Sequence, residues 1–113
     1  MADDPALPPA AKAVIAGADV VYASAVSIWE VSIKAGLGKL DIAQDRFVER
    51  LHSAGFEPLA ISWAHAAAVR NLPDIHRDPF DRMLVAQAIC EPLRLLTADK
   101  LLVNYSELIV LCE

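Results

Sequence analysis

Basic residues are scarce in this chain: ten lysines and arginines stand against fifteen aspartates and glutamates, a net charge of −5. Polyanions are usually held by clustered Lys and Arg, so this balance argues against a broad electrostatic footprint for nucleic acid. It is compatible with phosphate chemistry that runs through a divalent cation, because acid-rich sites need cations before they receive phosphate. Long apolar runs are also missing. No stretch approaches the ~20 residues of a membrane span, and Met1-Ala2-Asp3-Asp4 lacks the basic start and apolar core of a signal peptide. A cytoplasmic protein is the expectation. The two cysteines have neither metal-ligand spacing nor a disulfide framework; Cys90 falls in an apolar helical pattern and Cys112 near the C-terminus, and both read as reduced core thiols. Glycines at 17, 36, 38 and 55 do not form a phosphate-binding loop. Ser24 and Ser27 lack a partnered His base and a nucleophile elbow, which gives acyl transfer little support. His52, His65 and His76 show no ligand spacing with Cys or Glu and read as ordinary surface or loop histidines.

What is present is a chain of 113 residues, 56% hydrophobic and 22% charged, without repeats, linkers or low-complexity stretches. It reads as one compact domain over residues 1–113, long enough to bury roughly two thirds of the surface its unfolded chain exposes. Pro8-Pro9 opens a short helix to about Gly17, and Val20-Val21-Tyr22 is a strand signal. Ser24 or Ser27 can cap a helix that runs through Lys34 and fails at Gly36 or Gly38. Another helix spans about Gln44 to Ala54 and stops at Gly55. A short strand at Leu59-Ala60-Ile61 precedes a helix capped by Ser62, which Pro73 ends by Leu72. Asp78 and Pro79 start a helix to about Cys90. A strand over Leu93 to Leu96, a small helix around Asp99 to Val103 and a strand over Leu108 to Leu111 complete the pattern. Strands alternating with helices imply right-handed crossovers and a mostly parallel sheet covered on both faces, a three-layer α/β/α sandwich. Ligands of such sheets bind beyond the carboxyl ends of the strands.

Three acids draw notice against that architecture. Asp81 begins a helical stripe completed by Leu84, Val85 and Ala88, at i+3, i+4 and i+7, so its carboxylate lies on the face the helix buries and calls for a cation. Asp99 follows the strand signal Leu95-Leu96-Thr97, and Glu30 comes two turns into the helix after Val20 to Ala23. Each has a plainer reading. Glu30 and Lys34 form an i,i+4 helix pair; Asp81 can complement the helix dipole or complete a capping box; Asp99 can cap its own short helix.

Several segments together resemble the PIN-domain ribonucleases. They are Ser24-Ala25-x-Ser27-Ile28-Trp29-Glu30-Val31-x-Ile33-Lys34, then Leu37-Gly38-Lys39-Leu40, Gly55-Phe56 and His65-Ala66. His76-Arg77-Asp78-Pro79-Phe80-Asp81-Arg82-x-Leu84-x-Ala86-Gln87-Ala88 and Leu96-Thr97-Ala98-Asp99 follow. The likeness is greatest to the toxin halves (VapC-like) of type II toxin–antitoxin pairs and covers nearly the whole chain. It implies an acidic site holding Mg²⁺ or Mn²⁺, with Glu30, Asp81 and Asp99 matching three of the family's metal-site acids. Oxygen ligands suit such hard ions, which activate water and offset phosphate charge during in-line displacement. RNA phosphodiester cleavage is the implied reaction. On this resemblance Asp81 ligates metal directly or through water, Glu30 orients or deprotonates the attacking water, and Asp99 supplies a second ligand set. Thr97 supports the site through its hydroxyl, Asp78 caps the helix, and Arg77 and Arg82 contact either phosphate or a neighbouring acid.

Toxins of this kind begin with an apolar strand ending in Asp and a first helix, whereas Met1-Ala2-Asp3-Asp4-Pro5 resembles the stretch after that helix. The resemblance therefore implies an N-terminally truncated version in which the leading strand and its acid are absent, a metal ligand is lost and strand edges are exposed. Impaired activity would follow. An RNA substrate, a cognate antitoxin and a second copy in a homodimer are the implied partners. The alternative is a catalytically inactive PIN-like module that binds an antitoxin or a second PIN subunit.

Overall fold

The computed structural model describes residues 16–38 and 44–112. The helix expected from Pro8-Pro9, and the stretch around Asp3 and Asp4, lie outside them apart from the helix end at Ala16.

Strand β1 (Val21–Ser24) leads directly into α1 (Ala25–Gly36), whose start is set by Ser24: its hydroxyl accepts the Val26 N–H at 3.0 Å. Of the two serines expected to cap this helix, Ser24 does so; Ser27 is buried one turn further along. Helix α2 (Gln44–Ser53) ends at Gly55, whose φ of +89° is the left-handed conformation that costs glycine least. Strand β2 (Phe56–Leu59) starts three residues earlier than the Leu59-Ala60-Ile61 signal and includes Pro58. Proline removes a ladder donor, which is why the sequence reads as broken there. β2 has one partner among the described strands, and an edge strand accommodates proline.

Helix α3 (Trp63–Ala68) is capped by Ser62 as expected but is shorter than expected, giving way to a 3-10 turn at Val69–Asn71. Its capping box is unusual in composition. The Ser62 hydroxyl accepts the His65 N–H, and the His65 ring, where Glu or Gln usually stands, accepts the Ser62 N–H through Nδ1. Helix α4 (Pro79–Cys90) has the boundaries its signals gave, with Asp78 as N-cap and Pro79 in its first turn. Strand β3 (Leu95–Thr97), a 3-10 turn at Leu102–Asn104 in place of the expected small helix, and β4 (Ile109–Leu111) follow.

The strands pair in parallel, β1 with β2 and β3 with β4, so the fold is α/β. Among the described residues each pair forms its own ladder, and the all-parallel pairing agrees with the mostly parallel sheet expected. The core gathers on α4, where five successive residues, Leu84 to Ala88, are buried. Burial all round marks a central helix rather than a surface one. Leu84, Val85 and Ala88 pack with Val26 of α1, Leu95 of β3, Leu102 and Ile109 of β4. No helix among the described residues is long and apolar enough to cross a membrane.

The two thiols correct the sequence reading in part. Both are free, but Cys90 is exposed, because α4 is covered only to Ala88 and its last turn leaves the core; Cys112 is buried.

Candidate metal centre

The site lies where the carboxyl end of β3 meets the amino end of α4, the position open α/β folds favour for ligands. Asp78 builds one side. Its Oδ1 accepts the backbone N–H of Phe80 at 2.8 Å and of Asp81 at 3.2 Å, starting α4 and fixing the first turn on which Asp81 stands. Asp81 therefore enters the site from a helix end whose dipole favours an anion. The capping role expected of Asp78 is the one seen.

The other side follows β3. Thr97 is buried, and its Oγ1 accepts the Asp99 N–H at 3.0 Å, so the hydroxyl expected to support the site holds the turn that carries Asp99. Asp99 Oδ1 accepts the Leu101 N–H at 2.9 Å, a bond within the turn that precedes Leu102–Asn104; the N-cap of that 3-10 turn is Leu101, not Asp99 as its plainer reading had it. That leaves Oδ2 turned toward a third residue, His76.

His76 Nε2 lies 2.8 Å from Asp99 Oδ2 and 3.5 Å from Asp81 Oδ2. One ligand atom from each of His76, Asp81 and Asp99 falls within 4.8 Å of the other two, and all three side chains are partly buried. Ligand atoms around one Mg²⁺ at about 2.1 Å stand roughly 3 Å apart when adjacent and roughly 4 Å apart when opposite. The group is thus within a small contraction of the spacing a single hard cation imposes, and its two carboxylates are the ligand type such ions take. The residues fit a divalent metal.

Glu30 is not in this group. Its Oε2 is 3.3 Å from Lys34 Nζ, the i,i+4 bridge that its spacing allowed. It is nonetheless on the neighbouring element: the Trp29 ring meets Phe80 edge-on at 4.9 Å, so α1 packs at the first turn of α4, beside Asp81. Arg82, expected to contact phosphate or a neighbouring acid, has its guanidinium bonded to backbone carbonyls. Nη1 donates to Pro73 O at 3.0 Å and Nη2 to Val69 O at 3.1 Å, with longer bonds from Nη1 to His76 O and the Tyr105 hydroxyl. A planar fork of five donors suits a loop whose carbonyls have no ladder to join. Arg82 supports the site by bracing the segment that delivers His76. Arg77 is exposed.

His76 and His65 are the residues that the sequence reading missed. Both were expected to be ordinary surface or loop histidines; His76 is part of the acidic group, and His65 is 2% exposed, with Nε2 donating to Glu91 Oε2. A search for spacing to Cys or Glu passes over His76, whose partners are aspartates. Its place five residues before Asp81 in the His76-to-Arg82 run was the available signal.

Residues 1–108 match the PIN domain family. The chain is a PIN domain. No curated protein and no solved structure matches it. PIN domains are commonly nucleases and typically use divalent metals. In this PIN domain the acidic group with its attendant histidine is where such an ion fits.

Proposed function

We propose that this PIN domain is a metal-dependent endoribonuclease acting as the toxin of a toxin–antitoxin pair. The observation that carries the reading is the convergence of Asp81 and Asp99, 18 residues apart in sequence, with ligand atoms within 4.8 Å of one another at the end of β3. Turn and dipole roles account for each aspartate singly; two carboxylates gathered at one point repel, and the single His76 ring between them leaves charge that a divalent cation would offset.

Asp81 and Asp99 would hold Mg²⁺ or Mn²⁺. A bound ion of this kind lowers the pKa of water and offsets charge on the phosphate under attack. Asp81 is fixed by the helix start and Asp99 by Thr97, so both carboxylates arrive oriented and little reorganisation attends cation binding. Glu30 orients or deprotonates the attacking water from α1, exchanging its bridge to the exposed Lys34 for that role; i,i+4 helix pairs are worth only about 0.3–0.5 kcal/mol and yield readily. The net charge of −5 makes the cation a condition for receiving RNA.

A cognate antitoxin and a second copy of the chain are the proposed partners. Support comes from α1 and its C-cap, where Trp29, Ile33 and Leu37, at i, i+4 and i+8, are exposed together.

The test is cleavage of a mixed structured RNA by the 113-residue chain with Mg²⁺ or Mn²⁺, beside EDTA and Asp81→Asn. Metal-dependent cutting that Asp81→Asn reduces by at least about 100-fold is the expected outcome. A folded chain that leaves RNA intact with either ion would overturn the reading in favour of an inactive binding module.

A further inference from the structure

The three-residue group invites the view that His76 is simply a third ligand. The hydrogen bonds around the ring point elsewhere. The backbone N–H of Asp78 donates to His76 Nδ1 at 3.0 Å. A peptide N–H has only a donor to offer, so Nδ1 presents its lone pair to Asp78 and carries no proton. In the neutral ring the proton then sits on Nε2, and the 2.8 Å contact to Asp99 is Nε2–H donating to Oδ2. A protonated ring nitrogen has no lone pair for a metal. To ligate through Nε2, His76 would have to release Asp78 and move its proton to Nδ1, or give up its one ring proton.

The rest of the residue is held as firmly. Its backbone N–H donates to the Tyr105 hydroxyl at 2.8 Å, and its carbonyl accepts from Arg82 and from Tyr105. The ring is partly buried, 18% exposed, so water does not readily replace these bonds. One residue thus sets both sides of the site, since Asp78 caps the helix bearing Asp81 through its side chain and fixes the His76 tautomer through its backbone.

We infer that His76 is a positioning residue, its proton locked on Nε2 by Asp78, that orients Asp99 and lies over Asp81 without ligating the cation. This rests on the nuclease reading for the cation and on the hydrogen-bond geometry alone for the tautomer. Each Asp99 oxygen keeps a free lone pair after accepting one bond, so Asp99 can accept from His76 and Leu101 and still ligate. Histidines beside metal sites usually ligate through one nitrogen and donate through the other to a carboxylate; here the carboxylate is the ligand and the whole ring stands behind it.

Two measurements on the whole chain test this separately. The first is the ring tautomer in the metal-free protein, read from two-bond ¹H–¹⁵N correlations of labelled histidine, with the His76 signals assigned by their loss in His76→Gln. The Nε2–H pattern is expected; an Nδ1–H pattern would overturn the proposal. The second is Mn²⁺ binding followed by electron paramagnetic resonance, with electron-spin-echo modulation to detect a coordinated ¹⁴N. Expected are no ¹⁴N coupling, about a tenfold or greater loss of Mn²⁺ affinity in His76→Ala, and near-wild-type affinity in His76→Gln, whose amide N–H reaches the Nε2 position. A ¹⁴N coupling that vanishes in His76→Ala would make His76 a ligand. Equal affinity in all three proteins, each shown folded by its thermal transition, would remove the positioning role. An Nε2–H ring in a protein that binds no Mn²⁺ would overturn the nuclease reading and the positioning role together, and would be told apart from the other failures by the first measurement.

Discussion

At the scale of single residues, this domain devotes buried polar side chains to joining segments far apart in sequence. Gln87 is fully buried on α4, yet it accepts from the Ser24 hydroxyl at the end of β1 and donates to Ala60 O after β2. Ser24 in turn caps α1, so one amide ties the first strand, the loop after the second and the central helix. A buried donor or acceptor left unmade costs about 1–3 kcal/mol. Gln87→Leu, which keeps the volume and removes every bond, is expected to lower stability by about 2–3 kcal/mol in urea denaturation. No loss would show that water takes over the vacated partners. The sequence offered little sign of this: Gln87 entered only as part of the Ala86-Gln87-Ala88 stretch of the family resemblance, and the fold alone brings Ser24 and Ala60 beside it. His76 was hidden for the same reason. Its chemistry depends on Asp99, 23 residues away, and on a backbone N–H that no side-chain spacing reports.

At the scale of elements, α4 was the most legible part of the chain and also the part on which the site depends. Asp78-Pro79 gives the start, the i, i+3, i+4, i+7 stripe gives the buried face, and the observed limits Pro79–Cys90 follow from them. Asp78→Ala should cost about 1 kcal/mol through the lost cap, and Asp78→Asn most of that less, as checked by chemical denaturation. Both leave the Asp78 N–H in place, so the His76 tautomer should be unchanged in either. Arg82 works on the neighbouring segment. Truncation of its side chain in Arg82→Ala strands the carbonyls of Val69 and Pro73, and trypsin is expected to nick at Arg70 or Arg77 several-fold faster than in the unmodified protein. An unchanged nicking rate would mean that the segment holds itself. Where the elements were misread, local chemistry was the cause. Pro58 broke the pattern of β2, and the segment after Ala68 tightened into a 3-10 turn that propensity alone does not distinguish from more α-helix.

At the scale of the whole molecule, the central helix leaves a row of large apolar side chains uncovered on its neighbour α1. The exposed stripe Trp29, Ile33 and Leu37 gives the proposed self-association a specific surface. Ile33→Glu is expected to shift the molecular mass seen by light scattering toward the monomer while leaving the thermal midpoint within a few degrees, since Ile33 is exposed; an unchanged mass would move the interface elsewhere. The sequence by itself determined the class of fold and the order of most elements, and it drew notice to Glu30, Asp81 and Asp99, because hydrophobic period, caps and short motifs are properties of neighbouring residues. Tertiary structure alone decided which acids meet. It set Asp81 against Asp99, left Glu30 on its bridge to Lys34, turned Arg82 to carbonyls and placed a histidine between two carboxylates. Those outcomes depend on distances of a few ångströms between segments that only the packing of α4 against β3 and α1 brings together.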